Sequence, residues 1–183
     1  MPLAAESKWI DDFADPLILP SVSNDTWKAN LSSYVTLEVA GMGLANASIP
    51  PVFTFDSATF LSGLGDYDAN DNPIGVTSMA DSFQAAIATS PMVVAPGTAI
   101  GVVSNATQFS VVTSTLPVSS SVSSAKDIIL ELEEAEATSD ASKSEMPKKL
   151  YEAFSTLQYT IVGSDSTPPP AGPLPLTVTV AVA

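Results

Sequence analysis

The stretch "GDYDANDNP", residues 65–73, places carboxylate and amide side chains at the spacing of a cation-binding loop. Asp66, Asp68 and Asn70 alternate as the first ligands of an EF-hand loop do. The EF-hand pattern then requires glycine at its sixth position and glutamate at its twelfth, where this chain has Asp71 and Thr77. Two alternatives remain, a structural cation held by Asp66, Asp68 and Asn70 or an Asx-rich turn that ends at a proline, and we favour the turn.

Two further groups have side chains that could do acid–base or acyl-transfer chemistry. The densest carboxylates are Glu131, Glu133, Glu134 and Glu136. Carboxylate pairs can cleave glycosides, but glutamates that alternate with leucine are more typical of the solvent face of a sheet. Ser123 and Lys126 have the spacing of serine–lysine acyl enzymes, yet they lie in a serine-rich run with no companion motif. Because histidine and cysteine are also absent, we expect no enzyme activity and no cofactor beyond a structural cation.

The charge of the chain is strongly one-sided. Twenty acidic residues face six basic ones, all of them lysine, and the net charge is −14 at pH 7. A surface of this sign repels a phosphate backbone, so we predict no direct contact with nucleic acid. The excess fits a protein that works in molar salt, where charges are screened within about 3 Å, and it equally fits an acidic mesophilic protein.

Alternating apolar residues are the main structural pattern, and they predict β-strands. In "LSSYVTLEVAG" Val35, Leu37 and Val39 alternate with polar residues, and "VFTFDSATFL" repeats the pattern with Phe53 and Phe55. Six further runs are "PMVVA", "TAIGVV", "QFSVVTSTL", "KDIILELEE", "STLQYTIVG" and "LPLTVTVAVA". Clusters of Pro, Gly, Asn and Ser separate them, as turns require. We therefore predict an all-β sandwich of about eight strands.

Helices are expected in only two places. "SMADSFQAAIA" predicts a turn or two after a cap at Ser78, and "SEMPKKLYEAF" predicts a short helix near Ser144 and Pro147. The segment "AKDIILELEEAEA" combines the alternation of a strand with the composition of a helix, and we favour the strand.

The two ends of the chain differ from its middle. Residues 1–30 contain three prolines and two tryptophans, which favours an extended arm, and residues 31–183 are then the sandwich. No secretory signal is recognised, and no apolar run reaches the ~20 residues of a membrane helix, so we expect a soluble chain. The last strand is uncharged, with Leu176 and Val178 on its apolar side. Such a strand must pair inside a sheet or with a neighbouring subunit.

A single eight-stranded sandwich with an arm, a C-terminal strand and a strong acidic bias resembles a viral jelly-roll capsid protein. The most similar group is the single vertical jelly-roll major capsid proteins of membrane-containing icosahedral viruses of haloarchaea and their relatives in thermophilic bacteria. The resemblance covers residues 31–183 and rests on strand count, size and composition. It implies a single jelly-roll fold, a place in the virion capsid, and a homo-oligomer that joins a second capsid protein above an internal viral membrane. Four glycosylation sequons agree with an exterior location, at Asn24, Asn30, Asn46 and Asn105.

In this interpretation the function is assembly. The predicted interface residues are Trp9, Ile10, Phe13 and Trp27 in the arm and Leu176 and Val178 in the last strand. Packing within the chain is the alternative role for the tryptophans. Because acidic surfaces need salt or divalent cations between them, we expect assembly to weaken at low ionic strength. Two other functions stay open, a virion decoration or spike protein and a secreted carbohydrate-binding β-sandwich module.

Overall fold

A computed structural model describes residues 5–14, 24–45, 47–64, 66–67, 73–74, 79–96, 98–100, 107–108, 113–134, 141–165 and 175–182. Its helices are α1 (Glu6–Ala14), α2 (Asn24–Val39), α3 (Ser57–Gly63), α4 (Met79–Thr89), α5 (Ser119–Glu134) and α6 (Ala141–Ser155). Each helix packs against the next one in sequence, and α6 packs against α1. The order of helix contacts is therefore circular.

Short strands complete the described fold. They are β1 (Val52–Phe53), β2 (Asp66–Tyr67), β3 (Pro73–Ile74), β4 (Met92–Val94), β5 (Ala99–Ile100), β6 (Thr107–Gln108), β7 (Thr113–Thr115), β8 (Gln158–Asp165) and β9 (Pro175–Ala181). They form antiparallel sheets in the orders β1-β4-β7, β2-β3 and β5-β6-β8-β9. The longest pair is β8–β9, which runs from Gln158 opposite Ala181 to Ser164 opposite Pro175.

The predicted all-β jelly roll with an extended N-terminal arm is wrong, because helices form most of the described structure. The segment predicted as the first strand lies in α2, where Leu31, Val35 and Val39 are buried while Leu37 is 63% exposed. Spacings of four residues put the three buried side chains on one helix face, whereas a strand would have placed Leu37 with Val35 and Val39. The N-terminal segment holds α1 instead of an extended arm. The separate expectation of a boundary at residue 30 stays a prediction, although α2 crosses that residue.

The acidic segment that we favoured as a strand is also helical over its described residues, which end at Glu134. It belongs to α5, a helix of 16 residues in which Val122, Ala125 and Ile129 are buried. These residues follow helical spacing, while Leu130, which suggested the strand, is on the exposed side. Glu131, Glu133 and Glu134 therefore lie on a helix and not on the wet face of a sheet, whereas Glu136 lies outside the described residues.

Other elements were predicted correctly. Strands form at "PMVVA" as β4, at "STLQYTIVG" as β8 and at the C-terminus as β9, which pairs with β8 as the last strand of its sheet. Both predicted helices form, and both are longer than a turn or two, with 11 residues in α4 and 15 in α6. Pro147 lies inside α6 and is buried.

The core is one cluster that joins the helices to the strands, and Phe154 of α6 lies at its centre. Its ring contacts Phe83 of α4 at 5.2 Å, Trp9 of α1 at 5.7 Å, Phe55 at 5.9 Å and Phe53 of β1 at 6.5 Å, measured between ring centroids. Aromatic pairs at these distances add to the free energy gained by burial. One side chain thus connects two helices to the strand layer.

Candidate interaction surface

One face of the sheets is buried against the helices. In antiparallel strands, residues directly opposite each other carry their side chains on the same face. Phe53 of β1 lies opposite Met92 of β4, and both side chains are buried. In β8, Tyr159 and Ile161 alternate with more exposed neighbours and are fully buried. The strands therefore contribute one face to the core.

The other face is exposed along the same strands. Val52 of β1 lies opposite Val93 of β4, and Val52 is 63% exposed. In β8, Val162 is 58% exposed and lies opposite Thr177 of β9. Thr160 lies opposite Thr179, and their hydroxyl oxygens are 3.4 Å apart.

The two larger sheets meet edge to edge between β7 and β8. Pro117 and Tyr159 form an antiparallel bridge, the Val118 N–H donates to the Gln158 carbonyl at 2.8 Å, and the Thr115 hydroxyl donates to the Thr160 carbonyl at 2.8 Å. Because Pro117 and Tyr159 are both buried, the buried faces of the two sheets coincide at this junction. The exposed faces then coincide as well.

We call this exposed surface the open sheet face. It consists of Val52, Val93, Leu116, Gln158, Thr160, Val162, Thr177, Thr179 and Ala181. All nine side chains are uncharged, and three are large apolar groups at least half exposed, since Leu116 is 53% exposed. The five strands β1, β4, β7, β8 and β9 contain a single charged residue, Asp165 at the end of β8. An uncharged, partly apolar face is unusual on a chain with a net charge of −14.

The charges are concentrated in the helices. All six lysines lie in helices. Five of these lysines have an ammonium nitrogen 2.5 to 3.8 Å from a carboxylate oxygen, namely Lys8, Lys28, Lys126, Lys148 and Lys149. Lys149 connects α6 to Glu131 of α5, and this hydrogen bond is the largest cause of its raised pKa. The helices hold twelve carboxylates besides the six lysines, so they remain negative after this pairing.

The most buried of these ion pairs attaches α1 to α2. The Lys8 ammonium donates to Glu38 at 2.6 Å, and the Glu38 side chain is 1% exposed, whereas that of Lys8 is 53% exposed. A buried carboxylate next to an ammonium is costly to separate, because the remaining charge stays desolvated. The pair therefore fixes the position of α1 together with the packing of Trp9.

A shallow groove of about 470 Å³ adjoins the open sheet face. Leu116 and Pro117 line one wall, and residues of α4 and α5 line the rest. Asp81 is the one charged residue among its described lining residues, and it is paired with Lys126. The groove offers no cluster of groups for acid–base chemistry among those residues, so it adds no reactive site to the open sheet face.

A polar cluster around Asp56 serves the fold. The Asp56 carboxylate accepts hydrogen bonds from the Thr59 hydroxyl at 2.7 Å, the Thr59 N–H at 3.0 Å and the Thr89 hydroxyl at 2.8 Å, and its own N–H donates to the Ser90 hydroxyl at 2.9 Å. The Thr59 hydroxyl is the largest cause of the lowered pKa of Asp56. Asp56 therefore caps α3 and ties it to the end of α4.

The predicted cation site lies mostly outside the described residues. Asp66 begins β2, opposite Ile74 of β3, whereas Asp68 and Asn70 lie outside the described part of the chain. Where residues are described, no group of three or more acidic side chains is arranged to hold a metal ion. A structural cation at residues 66–70 stays a prediction.

The predicted interface residues fall on different parts of the molecule. Trp9 is fully buried against Phe154 and against Tyr151, whose ring centroid is 6.2 Å away. This position favours the alternative of packing within the chain. Ile10 is half-buried in α1. Phe13 and Trp27 lie in α1 and α2, and Leu176 and Val178 lie in β9, but the side chains of these four are outside the described structure. Their role at an interface stays a prediction.

Comparison with protein families, curated proteins and solved structures found no match to this chain. Among the described helices, none combines the length and the apolar character that crossing a membrane requires. The argument for function therefore rests on the surface itself.

Val52, Leu116 and Val162 were not recognised as surface residues from the sequence. Alternation alone cannot show which face of a strand is buried when both faces carry apolar residues. A usable signal was the distribution of charge, because the residues of β1, β4, β7 and β9 include no charged side chain.

Proposed function

We propose that the protein is a structural subunit that associates with copies of itself through the open sheet face. The segregation of charge carries this proposal. Twelve of the twenty carboxylates lie in helices, whereas the open sheet face is uncharged and exposes Val52, Leu116 and Val162. Two chains of charge −14 repel each other least when their uncharged faces meet.

The size of the face sets the expected affinity. At ~3.3 Å per residue and ~4.8 Å between strands, the five strands cover roughly 400 Å². Two such faces bury on the order of 800 Å², which is below the roughly 1,200–2,000 Å² of stable specific interfaces and in the range of weak, transient ones. We therefore expect weak, concentration-dependent association that strengthens with salt, as the Debye length falls from about 10 Å at 0.1 M to about 3 Å at 1 M.

A role in a virus particle is less supported than self-association. The resemblance to jelly-roll capsid proteins depended on a β-sandwich, and so did the alternatives of a decoration protein and a carbohydrate-binding module. A second capsid protein, an underlying membrane and a virion location stay predictions. Self-association, which the capsid interpretation included, is the part that the surface supports.

Two matched variants test the proposal. Val52→Lys places a charge on the open sheet face, and Leu37→Lys places the same charge on α2, where Leu37 is likewise 63% exposed. Sedimentation equilibrium in molar salt should give a lower average mass for Val52→Lys and an unchanged mass for Leu37→Lys. A wild-type protein that is monomeric at every concentration and salt level, or two variants with the same mass as wild type, would contradict the proposal.

A further inference from the structure

We infer that the outer edge of β9 pairs with β9 of a second copy across a two-fold axis, as a contact separate from the open sheet face. This inference rests on the proposed self-association and adds a second mode to it. A subunit with two different contacts forms assemblies larger than a dimer.

The hydrogen bonds at the end of β9 show which of its backbone groups point outward. The Val182 N–H donates to the Leu157 carbonyl on the β8 side at 3.1 Å, whereas the Ala181 carbonyl accepts from the Ala45 N–H on the opposite side at 3.1 Å. Backbone groups alternate in direction along a strand of an antiparallel pair. The N–H and C=O groups of Thr177 and Thr179 therefore point away from β8.

The outward groups of these two threonines have no partner within the described part of the chain. Residues 44 and 45 cover the edge of β9 only at its end, through the Leu44–Val182 bridge and the bond to Ala181. The strand lacks the features that usually protect an edge, because it has no charged residue and its one proline is its first residue. A free, uncharged edge of this kind is a template for another strand.

One register satisfies these groups in both copies. If Val178 lies opposite Val178 of the second copy, Thr177 faces Thr179 of that copy and Thr179 faces Thr177, giving four backbone hydrogen bonds. A register shifted toward the C-terminal end of β9 would require pairing by Ala181, whose carbonyl already accepts a hydrogen bond from Ala45. A shift the other way would use Pro175, which has no N–H. A second copy fits better than a charged peptide, because the strand offers no charge to recognise one.

Proline at residue 179 tests the edge without breaking the β8–β9 pair. Thr179→Pro removes an outward N–H, a position where an edge strand tolerates proline. The two-fold axis doubles the effect, so two of the four hydrogen bonds are lost. Thr179→Val keeps the N–H and is the matched control. Val178→Pro removes an inward N–H and should lower the melting temperature instead.

The experiment uses the Val52→Lys background, in which the open sheet face is blocked. Sedimentation equilibrium should give a dimer for Val52→Lys alone and with Thr179→Val, and a dissociation constant raised at least tenfold with Thr179→Pro. Hydrogen exchange of the Thr177 and Thr179 amides in the same background should slow as protein concentration rises, which needs no proline variant to fold.

The outcomes separate the two proposals. A Thr179→Pro variant that dimerises as tightly as its parent, or amides at residues 177 and 179 that exchange at one rate at all concentrations, would overturn the edge pairing. If Val52→Lys lowers the mass of wild type to a monomer, the open sheet face stands and the edge pairing fails. A wild-type protein that is always monomeric, even if an added peptide binds to β9, overturns both.

Discussion

Replacing Trp9 with alanine should destabilise the isolated subunit strongly, and this outcome decides whether Trp9 acts within the chain or at an interface. The side chain is fully buried, with ring contacts to Phe154 and Tyr151. Removing a buried tryptophan side chain costs about 3–5 kcal/mol through lost transfer free energy and the cavity that remains. Total stabilities of single domains are about 5–15 kcal/mol, so the variant should lose a large part of its stability.

Unfolding in guanidinium chloride, followed by far-ultraviolet circular dichroism, measures this effect. Helical signal is suitable because the variant lacks one of the two tryptophans that fluorescence would use. The protein should be dilute and in low salt, since association would add to the apparent stability. Ile10→Ala is the matched control, because Ile10 is the next residue of α1 and is only half-buried. We expect it to cost about 1 kcal/mol.

A loss below about 1 kcal/mol for Trp9→Ala in the dilute protein would refute this reasoning. If the same variant then associated more weakly at high concentration, Trp9 would belong to an interface between subunits. A loss of about 3–5 kcal/mol with unchanged association would assign it to the core of its own chain.

Two further predictions concern pH. The pKa of Asp56 is lowered, with the hydrogen bond from the Thr59 hydroxyl as the largest cause. The stability that the Asp56 carboxylate contributes is therefore present above its unfolded pKa of about 3.9 and is lost as pH falls through its folded pKa. Asp56→Ala should cost about 1 kcal/mol of stability at neutral pH, and the melting temperatures of the variant and of wild type should converge in acid. Equal differences at pH 7 and pH 2 would contradict this. Burial raises the pKa of Tyr159, so wild type should lose stability as pH rises above about 10, where the unfolded chain ionises first. Tyr159→Phe should lack that alkaline loss and should be more stable by about 1 kcal/mol at pH 7, because the buried hydroxyl has no hydrogen-bond partner within the described structure. A destabilised Tyr159→Phe protein would show that the hydroxyl is in fact satisfied.

The sequence predicted the strands where polar and apolar residues alternate without charge, and it failed in α2 and α5, where helical segments contain β-branched residues. β8 and β9 combine alternation with β-branched residues, so pattern and propensity agree. In α2, Val35, Thr36 and Val39 have the propensity of a strand, and the Thr36 hydroxyl bonds back to the Ser32 carbonyl inside the helix at 2.8 Å. Burial of Leu31, Val35 and Val39 on one face outweighs that weak preference.

The candidate surface was less predictable than the strands that form it. That β9 needs a partner followed from its lack of charge alone. Which of its backbone groups stay free depends on the register with β8 and on the bond from Ala45 to Ala181, and both are long-range contacts that no local pattern encodes. The sequence therefore indicated that β9 needs a pairing partner, and the structure identifies Thr177 and Thr179 as the residues whose backbone groups can pair with one.

The distribution of charge links these observations to function. A chain of charge −14 gains solubility from repulsion between its copies, and the same repulsion opposes assembly wherever charged surfaces would meet. Because the nine side chains of the open sheet face include no carboxylate, this face is the surface where that repulsion is smallest. Salt would then strengthen association by screening the repulsion between carboxylates elsewhere on the two chains, although the contact surface itself carries no charge. We therefore expect that association of the Val52→Lys protein still strengthens with salt, although its remaining contact is the uncharged edge of β9.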